Sequence, residues 1–285
     1  KAGKVKYYTE KNSLEKIYFA VRDRKNRSKI FNAIMKYNLY DFDIYHFDGG
    51  MDFFRDSRFA KQLKSMGKKI VMCYFGSDLR SRGIFKDMEA LSDLNLTVEF
   101  DHTEIYKNIN YLFFPAFIPE IKLKEKNYSG KIKVIHSPTN RIFKGTDKIL
   151  NVIEKLKSEF DFEFILAENM DRNELLKLKR HCHLAIDTVG GLSGGSGYGK
   201  NSIENLSLGL PTITEFSKDY LKFIPENPFI ASTIDELYDV MYGILKNPKI
   251  LEKYAEAGAK WVKKYHGFES VNKTLEDLYI KAGII

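Results

Sequence analysis

Residues 190–214 read GGLSGGSGYGKNSIENLSLGLPTIT, and their order decides the fold. A glycine-rich loop leads into a helix predicted over Asn201 to Leu208; Gly209 ends it, and Leu210-Pro211 hands the chain to a strand at Thr212 to Thr214. Loop, helix, stop and strand in that order are one step of an alternating α/β chain, whose short apolar strands form a parallel sheet covered by helices. Glycines let the backbone approach a ligand closely, and the free N–H groups of a first helical turn attract anions, phosphate above all. Glu204, one turn into this helix beside Ile203 and Leu206, has two readings. It is an acid that accepts hydrogen bonds from a vicinal diol such as ribose, or an early-turn glutamate favoured by the helix dipole. The spacing matches neither GxGxxG nor a P-loop.

Working outward, the same rhythm fills the second half: strand Lys133 to His136, helix Thr146 to Glu159, strand Phe162 to Ala167, helix Arg172 to Arg180 and strand Leu184 to Thr188. Helices at Thr233 to Lys246, Lys249 to Tyr265 and Ser270 to Lys281 close it. The first half predicts strands at Ile17 to Val21, Asp43 to Phe47, Lys69 to Tyr74, Thr97 to Phe100 and Tyr111 to Phe114, with helices such as Ser28 to Tyr37 and Ser57 to Met66 between them. Pro115, Pro119, Lys122, Lys124, Lys126 and the turn-like Asn127 to Gly130 interrupt the pattern as an interdomain linker does. The expected domains are 1–128 and 129–269, with 270–285 as a helix crossing back to the first.

In Ile135 to Leu150, IHSPTNRIFKGTDKIL, a strand ends at His136 and Arg141 and Lys144 precede a helix start. Two cations at the carboxyl edge of a strand can clamp a diphosphate; as isolated residues they are more often solvated surface.

Taken in order, IHSPTNRIFKGTDKIL, ELLKLKRHCHLAID and YGKNSIENLSLGLPTIT resemble the donor-binding domain of GT-B glycosyltransferases, specifically glycosyltransferase family 4 (group 1). DFDIYHFDGG and KKIVMCYFGSDLR resemble that family's first domain more weakly. The resemblance implies two Rossmann-like domains facing a cleft, with the first domain shortened at its start. It implies a retaining, metal-independent transfer of a sugar from a nucleoside-diphosphate sugar to a saccharide or lipid-linked acceptor, with no cofactor. Arg141, Lys144 and Glu204 would carry the reaction; Thr139, Asn140, Gly199, Lys200, Asn201 and Ser202 would add donor contacts; His46, Asp48, Asp78 and Arg80 are acceptor-side candidates. Departures are Ser196 and Phe75, which stand where many members have Glu and His, and the absence of an opening strand and glycine-rich turn before Ile17. A sugar-nucleotide epimerase and a non-catalytic nucleotide- or sugar-binding module are the alternatives.

Composition narrows the partners. Of the net +8, residues 1–130 hold 24 Lys+Arg against 17 Asp+Glu, and the rest hold 22 against 21. The basic half suits an anionic partner, and Arg22, Arg24, Lys25, Arg27 and Lys29 cluster within it. Without aromatic interleaving, nucleic acid is the weaker partner and an anionic membrane surface the stronger. Cys73 and Cys182 stand far apart and no apolar run reaches the ~18–20 residues of a membrane span, so a cytoplasmic protein, peripheral at the inner face of the membrane, is expected. His181-Cys182-His183 lacks further ligands for zinc, and Asp41-Phe42-Asp43 reads as a strand start.

Overall fold

The computed structural model describes residues 5–116, 126–192 and 197–285. It divides into two compact units, one formed by the chain to Phe114 together with Val271–Ile285, the other by Pro115–Ser270. Ser196, Pro119, Lys122 and Lys124 lie outside the described residues.

In chain order the first unit contains α1 (Ser13–Lys36), β1 (Ile44–Asp48), α2 (Arg58–Ser65), β2 (Lys69–Tyr74), a π turn at Asp78–Arg82, α3 (Lys86–Leu91), β3 (Leu94–Thr97), α4 (Phe100–Ile105) and β4 (Asn110–Tyr111). All four strands are parallel, in the order β1-β2-β3-β4. Alternate residues of β2 serve opposite faces. Ile70, Met72 and Tyr74 pack with Ile34, Phe59 and Leu63, whereas Val71 and Cys73 pack with Leu94, Leu96 and Ile284. A sheet buried on both faces needs helices on both, so its strands read as continuous apolar runs.

Two readings of this half need correction. Ile17–Val21 is not a strand but the second turn of α1. The helix starts because Asn12 Oδ1 accepts from Glu15 N at 2.9 Å while Glu15 Oε2 accepts from Lys11 N at 2.6 Å, a reciprocal cap that outweighs the β-branched and aromatic run behind it. The third strand lies at Leu94–Thr97, three residues earlier than expected, because Leu94 and Leu96 are the side chains that fill the core. Ahead of α1, Tyr8 N donates to Ile84 O at 2.8 Å and Ile84 N to Lys6 O at 2.9 Å, tying the opening residues to the unit.

The second unit contains β5 (Ile132–His136), α5 (Arg141–Lys144), α6 (Thr146–Lys157), β6 (Phe162–Leu166), α7 (Arg172–Lys179), β7 (Leu184–Ile186), α8 (Lys200–Ser207), β8 (Thr212–Thr214), α9 (Lys218–Phe223), β9 (Ile230–Ala231), α10 (Leu237–Lys246) and α11 (Ile250–His266). The parallel sheet runs β6-β5-β7-β8-β9. After β5 the chain adds β6 on one side and then crosses to place β7 on the other, so strand order reverses between β5 and β7. Ligands of doubly wound sheets sit outside the carboxyl ends of strands at such a switch point. One face is filled by Ile149, Ile153 and Leu156 of α6 with Leu237, Met241 and Ile244 of α10; the other holds Cys182, Leu210, Leu175 and Leu178.

Finally, α12 (Phe268–Lys281) follows, and Leu275, Leu278 and Tyr279 lie against the Val71–Cys73 face of the first unit. Both cysteines are free and buried.

Candidate functional site

At the switch point the carboxyl ends of β5 and β7 meet two helix starts. Beyond β5, Asn140 caps the short α5, its Oδ1 accepting from Ile142 N at 3.0 Å and Phe143 N at 3.1 Å. Gly145 then turns the chain into α6 at φ +71°, where a Cβ would stand 2.0 Å from the Val189 carbonyl oxygen. Gly145 of the Lys-Gly pair is therefore a packing requirement: only glycine lets α6 start this close to the loop after β7.

Asp187 is the hub. It directly follows β7, is 1 % exposed, and its Oδ1 accepts from Lys144 Nζ at 2.5 Å and from Asn201 Nδ2 at 2.9 Å, while Oδ2 accepts from Ser202 Oγ. Burial pushes its carboxyl up, but Lys144, Ser202 and Asn201 more than reverse this and hold the pKa below the ordinary carboxylate value. Lys144 also donates to Thr188 Oγ1 at 2.8 Å.

From Asn201 the contacts run on. Its Oδ1 accepts from Ser137 Oγ at 3.1 Å and from Lys179 Nζ at 2.5 Å. Lys179 has no solvent exposure and stands 4.0 Å from Glu204 Oε2; burial brings its pKa down to about 8, against the pull of Glu204 and Asp187. Glu204 Oε1 accepts from Arg172 Nε at 2.8 Å. One line of contacts thus joins Lys144 of α5, Asp187 after β7, Asn201 and Glu204 of α8, and Lys179 and Arg172 of α7.

Gly199, exposed, stands at the N-cap of α8 with no side-chain hydrogen bond to the cap, and Lys200, also exposed, opens the helix. Asn201 and Ser202 turn their side chains back to Asp187, so the first-turn N–H groups, which have no partner inside a helix, keep an anion-seeking end. The preceding loop is fixed by aromatics. Tyr198 stacks on Phe229 at 5.0 Å and on Tyr220 at 5.9 Å, and its hydroxyl meets His266 Nε2 at 3.1 Å. Gly197, at φ +83°, lies under the Tyr220 ring, which an added Cβ would approach to 2.0 Å.

Of the residues singled out in this unit, Lys144, Asn201, Ser202 and Glu204 are brought together. Thr139 is exposed in the loop after β5, and the Asn140 side chain is engaged in capping. Arg141 is exposed and turned to Asp147 at 2.7 Å and Glu168 at 2.9 Å; the Asp147 hydrogen bond raises its pKa. Asp187, Lys179 and Arg172 were missed. A strand-terminal Asp in a buried strand was a readable signal for the first; the burial of Lys179 had none in the sequence.

The acceptor-side candidates lie in the first unit. The His46 ring contacts Tyr279 Oη and Cys73 Sγ, and Asp48 is exposed at the end of β1. Asp78 accepts from Phe75 N at 2.7 Å and Leu79 N at 2.6 Å, and Arg80 is paired with Glu99 and Asp101, each at 2.6 Å. Asp78 and Arg80 therefore shape the turn after β2. His183 Nδ1 accepts from Lys133 N at 2.9 Å, a structural role, and among the described residues no three His, Cys, Asp or Glu side chains are grouped to hold a metal ion.

The architecture is that of the GT-B fold, two Rossmann-like α/β units in one chain. Anabaena HepE in complex with UDP-glucose superposes with a TM-score of 0.57 at 10% identity, over 89% of this chain and 81% of that one. Sucrose-phosphate synthase from Thermosynechococcus elongatus gives 0.56 at 13% identity, over 89% and 77%. The lipopolysaccharide outer core galactosyltransferase WaaB gives 0.56 at 12%, over 88% and 79%. No protein-family model matches the sequence, and no curated protein does.

Proposed function

We propose that this protein is a glycosyltransferase that moves a sugar from a nucleoside-diphosphate sugar to a saccharide or lipid-linked acceptor, with retention at the anomeric carbon and without a metal ion. The observation that carries the reading is the placement of Lys144, Asp187 and the start of α8 at the reversal point of the second sheet. The solved structures of similar fold include complexes with UDP-glucose and with UDP, which supports a nucleotide-sugar donor.

In this reading the Lys144 ammonium and the first-turn N–H groups of α8 face the departing diphosphate. They supply the preorganised positive potential that such a leaving group needs. Asp187 touches no substrate; it positions Lys144 and, through Asn201 and Ser202, the helix end. Glu204, held from behind by Lys179 and Arg172, accepts the ribose hydroxyls. The bond from anomeric carbon to phosphate oxygen breaks as the acceptor oxygen bonds to that carbon on the same face, and the acceptor proton passes to the departing phosphate oxygen. Arg141 joins by exchanging Asp147 and Glu168 for phosphate.

Calorimetric titration with UDP, GDP and their sugars, followed by assay of slow donor hydrolysis in the same samples, tests this. Nucleotide binding that falls at least tenfold in Lys144→Ala and in Glu204→Ala is expected, on the scale of one charge-assisted hydrogen bond. No binding at millimolar nucleotide overturns the reading, and binding without turnover of any donor reduces it to a binding module.

A further inference from the structure

The helix α1 has two apolar faces and, among the described residues, a partner for only one. Phe19, Ile30, Phe31 and Ile34 lie on the inner face, and Ile30, Phe31 and Ile34 pack with the first unit's core. On the opposite side Leu14, Ile17, Tyr18 and Val21 are 76, 59, 63 and 60 % exposed. Their spacing of three, one and three residues sets them on one stripe along the first two turns. Four large apolar side chains in one exposed stripe mark a contact surface.

Charge says which contact. Lys25, four residues past Val21, continues the stripe, and Arg24 and Lys29 stand on its two flanks. All three are exposed, and none has an ion pair among the described residues. Arg22, by contrast, is paired with Asp23 at 2.5 Å. An apolar ridge continued and flanked by unpaired cations is the pattern of helices that lie in the plane of an anionic bilayer. There the apolar side chains enter the acyl boundary and the cations meet lipid phosphates. A nucleic acid backbone would use the cations and leave the ridge in water. No helix of the described residues is long and apolar enough to cross a membrane, so a lipid contact of α1 would be with a bilayer surface.

We propose that α1 seats the first unit on an anionic lipid surface through Leu14, Ile17, Tyr18 and Val21, with Arg24, Lys25 and Lys29 as its electrostatic contacts. The proposal is independent of the donor chemistry, and the test keeps the two apart. Flotation with phosphatidylcholine vesicles, with and without phosphatidylglycerol, is measured for the wild type, for Leu14→Ser/Ile17→Ser/Val21→Ser and for Lys25→Glu/Lys29→Glu. UDP titration of each preparation reports the second unit. Binding only to the anionic vesicles is expected, reduced at least tenfold by either variant and by raising salt to about 1 M, with UDP affinity unchanged. Failure of the wild type to float, or equal flotation of the variants, overturns the proposal whatever the nucleotide result. So does a concentration-dependent dimer in sedimentation that the serine variant abolishes, since the stripe is then covered by a second copy.

Discussion

Replacing Lys179 by Met should make the second unit more stable and the candidate site worse. The ammonium is wholly buried, and its pKa falls from an ordinary 10.5 to about 8. At about 1.4 kcal/mol for each pH unit, holding the charge there costs about 3 kcal/mol at neutral pH. The methionine fills a similar volume, leaves Glu204 with Arg172 and Asn201 Oδ1 with Ser137, and forgoes one hydrogen bond worth about 1 kcal/mol. A net gain of about 2 kcal/mol follows, within the range seen when buried ions are replaced by apolar groups. The pH dependence isolates the cause. Between about pH 8 and 10.5 the unfolded chain keeps this proton and the native state does not, so wild-type stability rises with pH relative to the variant. The variant's advantage should therefore close by about pH 10. Urea unfolding followed by the fluorescence of Trp261, the single tryptophan, 2 % exposed and in the second unit, measures both. A variant less stable than wild type at pH 7, or a gap that stays constant to pH 10, refutes the reasoning. UDP affinity should fall in the same protein, because Glu204 and Asn201 lose the cation that orients them.

Two further changes probe the same framework. Asp187→Asn leaves Lys144 without its carboxylate and should cost about 3 kcal/mol at pH 7; because the Asp187 pKa is depressed in the native state, the loss should shrink as pH falls through and below the ordinary carboxylate range, as urea melts at pH 7 and pH 3 will show. Gly197→Ala meets both the positive φ and the Tyr220 ring, and should lose about 3 kcal/mol with a shift in Trp261 emission; an unchanged melt would mean that the loop is not anchored as described.

Much of the second unit was legible in the sequence. The strand Thr212–Thr214 and the start of α6 at Thr146 fall where the pattern sets them, because Pro, Gly and apolar runs punctuate that half sharply. In the first half Lys69–Tyr74 is equally clear, whereas Ile17–Val21 is not, since a helix with two apolar faces has no single period for a pattern to find. The cap that decides it, Asn12 with Glu15, was present but short of context. At the site, residues near glycines and helix starts were readable. Lys179 was not, because nothing in ELLKLKRH distinguishes a lysine whose ammonium meets Asn201 from its solvated neighbours Lys177 and Arg180.

The first unit is discontinuous in sequence, and this orders events in time. Val71, Cys73, Leu94 and Leu96 receive their cover from residues of 271–285, which are synthesised only after all of the second unit. During translation the second unit can close as soon as its own chain has emerged, while the first must wait with one apolar sheet face open to chaperones or to other nascent chains. Cutting the chain at Ser270 would leave that face bare, so residues 271–285 act as the latch that ends the first unit's vulnerable period.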